Sequence, residues 1–75
     1  MTLIDSAKGN QYYIKGICCQ DEDLLQRFYS MGIYEGNMIT LEHISAMHNT
    51  YSISVYGTQI ALRRGEAQCI EIELR

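Results

Sequence analysis

The stretch Tyr51-Ser52-Ile53-Ser54-Val55-Tyr56-Gly57-Thr58-Gln59-Ile60-Ala61-Leu62 decides the fold. Ile53 and Val55 before the glycine, and Ile60 and Leu62 after it, alternate with polar residues at a period of two, the pattern of strands that bury one face. Glycine tolerates the positive φ that the first central residue of a type II′ turn needs, so a two-residue turn is expected at Gly57-Thr58. That register sets Val55 opposite Ile60 and Ile53 opposite Leu62, with all four side chains on one face. An antiparallel hairpin with a single apolar side follows.

The rest of the chain extends this sheet in both directions. Downstream, Arg63-Arg64-Gly65-Glu66-Ala67 interrupts the alternation and reads as one helical turn. Ile70, Ile72 and Leu74, separated by Glu71 and Glu73, then read as a last strand. Upstream, Ile39 and Leu41, continued to His43, alternate with Met38, Thr40, Glu42 and Ile44. Ala46 to Thr50 forms a polar tip with Met47 exposed. Gln11 to Cys19 reads as a first strand, with Tyr12, Ile14 and Cys18 on one face, Tyr13, Lys15 and Ile17 on the other, and a bulge at Gly16. Between these, Asp21-Glu22-Asp23 precedes Leu24, Leu25, Phe28, Tyr29 and Met31 at helical spacing, and Gly32 follows where a helix commonly ends. The expectation is one domain spanning residues 1–75, mainly β, a small barrel of about five strands with one short α-helix after the first strand.

Composition narrows the function. A chain of 75 residues is too short for two ordinary domains, and 47% hydrophobic with 20% charged residues is the balance of a folded protein. No apolar run approaches the roughly 18 residues of a membrane span, so no membrane insertion is expected. A net charge of −3 works against neutralising phosphates, and no nucleic acid is expected as a partner. Three cysteines, two of them adjacent, do not make a disulfide framework. Without a visible signal sequence, they are expected as free thiols in a cytoplasmic protein.

No phosphate loop, nucleophile elbow or paired metal-ligand motif is present, and neither an enzyme nor a cofactor is expected. His43 with His48 misses the usual zinc spacings, so no metal site is assigned. His43 is expected at the edge of the core and His48 in solvent. The candidate site is therefore a binding surface. Arg63-Arg64 is the one local concentration of positive charge, and guanidinium groups pair well with carboxylates. Tyr12, Tyr13, Tyr34, Tyr51 and Tyr56 are more rings than the core of one small sheet needs, and tyrosine left outside suits protein contact.

In order and spacing, Leu24-Leu25 with Met31-Gly32-Ile33-Tyr34-Glu35-Gly36, the strand Ile39-Thr40-Leu41, and Ile60-Ala61-Leu62-Arg63-Arg64-Gly65-Glu66-Ala67 leading into Ile70-Glu71-Ile72 resemble the FeoA family. The likeness runs from about Gly9 to Leu74. It departs where the family usually has proline, at Lys8, Glu35 and the 46–50 tip. The resemblance implies an SH3-like small β-barrel, a module also found in some metal-dependent repressors. It further implies a non-enzymatic cytoplasmic accessory of bacterial ferrous iron uptake that binds the cytoplasmic region of the GTPase permease FeoB, which recruits it to the inner face of the membrane. The contact residues expected on this reading are Arg63, Arg64, Met47 and His48, with an apolar cleft between helix and barrel at Leu25 and Tyr29. The alternatives are a ferrous or other transition-metal carrier or sensor using the histidines, cysteines or Asp21 to Asp23, and a generic peptide-binding barrel. A core this small supplies no more than about 3 to 5 kcal/mol, which leaves room for weak self-association as a further source of stability.

Overall fold

The computed structural model describes residues 1–75, and its strands are where the alternation is. They run as β1 (Gln11–Ile17), β2 (Met38–Ile44), β3 (Thr50–Val55), β4 (Thr58–Arg63) and β5 (Ile70–Leu74), with α1 (Glu22–Ser30) after β1 and the single-turn α2 (Arg64–Ala67) between β4 and β5. All pairings are antiparallel, in the order β4-β3-β2-β1-β5. The side chains that alternate inward, Tyr12, Ile14, Ile39, Leu41, Tyr51, Ile53, Val55, Leu62, Ile70 and Ile72, form one core with Leu3, Phe28, Ile33 and Ala67.

The expected barrel needs one correction. β4 and β5 are the outer strands and share no ladder, so the sheet curls without closing. The reason lies in their connection. The chain between them is wound into α2, which carries it across the opening with Ala67 fully buried beneath.

The deciding hairpin forms with its turn one residue earlier than expected. Val55 pairs with Thr58, Ile53 with Ile60 and Tyr51 with Leu62. The central residues are Tyr56 (φ 50°) and Gly57 (φ 80°), both left-handed, as a type I′ turn requires. A non-glycine residue pays for that conformation, and the compensation is visible: the Tyr56 hydroxyl donates to Asn37 Oδ1 at 2.8 Å. Pairing shifts by two residues, an even number, so the apolar set still shares one face.

A bulge moves a second residue. Between Leu41 and His43 the β2–β3 register shifts, which turns His43 out to solvent and brings Ile44 against the core. His43 is therefore not a core-edge residue. In β1 a comparable shift between Ile14 and Gly16 accommodates the expected irregularity, and the strand ends at Ile17, two residues before Cys19. The N-terminal residues, which the sequence reading left without structure, form a 3-10 turn at Leu3–Asp5. Leu3 plugs the core there, and Thr2 bridges to Glu71.

Helix α1 starts and stops on recognisable chemistry. Asp21 Oδ1 accepts the N–H groups of Asp23 (3.0 Å) and Leu24 (3.3 Å), satisfying donors that have no partner within the helix. Gly32 ends it at φ +87°, and a Cβ there would also press to 3.2 Å from Val55 Cγ1. Phe28 is its one fully buried side chain. Glycine is required at position 32 on both counts.

Candidate functional site

Residues three to four apart share a helix face, so Leu25 and Tyr29 lie on one flank of α1 and Arg27 on the other, with Phe28 as the ridge between them. On the Leu25 flank a cleft of about 150 Å³ opens against β1 and the turn after the helix, lined by Gly16, Ile17, Leu25, Tyr29, Tyr34 and Glu35. Tyr29 stacks on Tyr34 with ring centroids 5.3 Å apart and planes 19° from parallel, yet 63% of Tyr29 remains exposed. Stacking holds the two rings in place without covering them. The cleft therefore presents an ordered aromatic wall, an apolar floor and one carboxylate at its rim.

The other candidates gather at one end of the sheet. Arg63 pairs with Thr50, and the Arg64 N–H donates to the Asn49 carbonyl at 2.9 Å, which sets both arginines beside the 45–50 tip. Ser45 organises that tip: its Oγ accepts from the Asn49 and Thr50 N–H groups, each at 3.0 Å, and its carbonyl accepts from the His48 N–H at 2.9 Å. His48 adopts φ 57°, and Met47 stands 78% exposed. The two arginines differ in how free they are. Arg64 Nη1 donates to the hydroxyl of buried Tyr51 at 3.4 Å, while the Arg63 guanidinium projects into solvent. Glu66 links this end to α1, accepting the Arg63 backbone N–H at 2.9 Å and facing Arg27 Nη2 at 3.6 Å.

The six expected contact residues thus fall into two groups, Met47, His48, Arg63 and Arg64 at the tip and Leu25 with Tyr29 in the cleft, on opposite flanks of α1. The sequence reading missed the residue that positions the cleft wall. Asn37, 7% exposed, donates from Nδ2 to the Gly32 carbonyl and accepts from Tyr56 through Oδ1, so it ties the end of the helix to the β3–β4 turn. Its one sequence signal is an asparagine directly after the Gly36 turn.

No three histidine, cysteine, aspartate or glutamate side chains converge in ligand geometry. A shallower hollow of about 400 Å³ near Gly9, Gln11, Thr40 and Arg75 has a single apolar lining residue, and Gln11 Oε1 already accepts from Arg75. No helix is long and apolar enough to cross a membrane.

The order of elements and the positions of these residues match a known family. A model of the FeoA domain aligns with residues 1–74. The chain belongs to the FeoA family. It is similar to the Fe(2+) transport protein A of Helicobacter pylori strain J99, with 44% identity over 73 residues covering 97% of this chain and 94% of that one. Among solved structures, the FeoA-like protein of Clostridium acetobutylicum superposes with a TM-score of 0.86 at 23% identity, covering 99% of this chain and 85% of that one. A manganese-dependent transcriptional repressor shares the fold at a TM-score of 0.90 and 19% identity, over 99% of this chain and 40% of its own. The same fold therefore occurs both as most of a small chain and as part of a larger one. FeoA proteins are accessories of ferrous iron transport.

Proposed function

We propose that this FeoA-family chain binds the cytoplasmic region of the permease FeoB and modulates ferrous iron uptake without doing chemistry itself. The observation that carries this reading is the cleft on α1. An aromatic pair held in fixed geometry but left open to water is a preorganised apolar anchor point, and exposed tyrosine is a favoured hot-spot residue in protein contacts. The basic end at Arg63 and Arg64 supplies a second contact that steers an acidic partner surface. A regulator of this kind acts by binding one conformation of the permease more tightly than another, since only differential affinity shifts an equilibrium. Binding through FeoB also accounts for a place at the inner face of the membrane in a chain with no spanning helix.

Calorimetric titration of the FeoB cytoplasmic domain tests the proposal. Tyr29→Ala should weaken binding by at least about tenfold, the loss of one well-placed anchor, and Leu25→Ala by less. Both side chains lie outside the fully buried core, so the unfolding transition should move little. Heat of binding unchanged by both substitutions would remove the cleft from the interface. No binding by the parent protein would remove the proposal.

A further inference from the structure

The β1–β5 ladder brings Cys69 beside the Cys18-Cys19 dipeptide, although the two sites lie some fifty residues apart along the chain. Ile17 pairs with Ile70, and one step further out the Cys18 N–H donates to the Cys69 carbonyl at 2.7 Å. The β1–β5 ladder therefore delivers Cys69 directly across from the Cys18-Cys19 dipeptide. Both neighbouring thiols disfavour charge on Cys69, Cys19 more than Cys18. Each sulfur is otherwise held only by a long, weak contact: Cys18 to Glu71 Oε2 at 4.0 Å, Cys19 to the Asp21 carbonyl at 3.5 Å, and Cys69 to the Gly65 carbonyl at 3.6 Å. Cys19 and Cys69 are half-buried and Cys18 is exposed, so all three are reachable by a small reagent.

We propose that Cys19 and Cys69 form a reversible intramolecular disulfide when the protein meets a peroxide. The surroundings of Cys69 also divide the roles. Burial, the neighbouring thiols and Glu66 push the Cys69 thiol above its ordinary range, so it carries less thiolate than an ordinary cysteine. First attack falls to Cys19. Its thiolate forms a bond to one peroxide oxygen, the O–O bond breaks, and hydroxide leaves, giving a sulfenic acid. Cys69 sulfur then attacks the Cys19 sulfur and expels hydroxide, which takes up the Cys69 proton as water. Two thiols and one hydrogen peroxide become one disulfide and two waters.

The bond would join two elements that the Arg27–Glu66 ion pair already bridges. Cys19 lies two residues before the Asp21 cap of α1, and Cys69 lies two residues after α2. A link there fixes the start of one helix to the end of the other across a loop that spans most of the chain. This inference stands apart from the FeoB reading, and its test uses no partner.

Reduced protein is treated with a small excess of hydrogen peroxide, free thiols are counted, and thermal unfolding is recorded before and after addition of dithiothreitol. The expected result is a monomer that loses two of its three thiols and gains roughly 10 °C or more in Tm, both reversed by the reductant. Cys18→Ser should oxidise in the same way, which assigns the bond to Cys19 and Cys69. Cys19→Ser and Cys69→Ser should each lose the rise in Tm. The proposal is overturned if the parent keeps three thiols or forms only intermolecular dimers. It is equally overturned if Cys18→Ser blocks the bond.

Discussion

The two flanks of α1 use the same helix in opposite ways. On one, Arg27 reaches Glu66, which also accepts the Arg63 backbone, so the charged groups are spent on contacts within the domain. On the other, Leu25, Ile17 and the stacked Tyr29 and Tyr34 line an open cleft. Exposed apolar area forgoes about 25 cal/mol for each Å² left in water. On the proposed reading the flank that keeps aromatic rings ordered yet uncovered is where the partner docks, whereas the flank whose polar groups are mutually satisfied closes the structure.

The largest test of this contrast removes the ridge on which both flanks depend. Phe28→Ala should destabilise the domain by about 3 to 5 kcal/mol in urea unfolding, comparable to the whole stability expected of so small a core. Both flanks should then fail together. A loss below about 1 kcal/mol would mean that α1 is held by its flanks rather than by its core residue.

Charge reversal separates the flanks more gently. Arg63→Glu should weaken FeoB binding several-fold at low salt, and the difference should shrink as ionic strength rises. Arg64→Glu is the less clean substitution because it also strips the buried Tyr51 hydroxyl of its partner, so it should lower stability where Arg63→Glu does not.

The closed side should also respond to pH. The folded chain holds the Cys69 proton more tightly than the unfolded chain, whose thiol has the ordinary value of 9.0. That contribution is complete below about pH 9 and is lost as the pH rises through the folded value. Stability of reduced protein should therefore fall on the alkaline side, and Cys69→Ser should flatten that fall.

Smallest of all is the ion pair. Arg27 is 64% exposed, so solvent screens it, and Arg27→Gln should change stability by no more than about 0.5 kcal/mol.

Local chemistry explains which parts of the molecule were legible in the sequence. The Asp21 cap, the Gly32 stop and the inward alternation of Ile39, Leu41, Ile53 and Leu62 depend on neighbours a few residues away, and the elements form there. The turn at Tyr56-Gly57 defeats local reading because a tyrosine takes up left-handed backbone, and what holds it is a hydroxyl bonded to Asn37, nineteen residues distant. His43 was placed by extending an alternation that a bulge interrupts, and bulges leave no reliable mark at a Glu-His pair. The candidate contact residues are all at least partly exposed. Their division between two flanks depends on where α1 docks, and the thiol cluster depends on β1 meeting β5. Neither proximity has a counterpart in neighbouring residues.

The sheet order also sets when the domain can form. β1 lies between β2 and β5, so the earliest strand to leave the ribosome completes its pairing with the latest. Until β5 is available, the outer edge of β1 is unpaired and the core lacks Ile70 and Ile72. Nascent chains that stop short of those residues retain an open strand edge and an incomplete core, a state prone to aggregation. Completion of the sheet at β1 thus waits for β5 and closes the longest loop between paired strands of the domain.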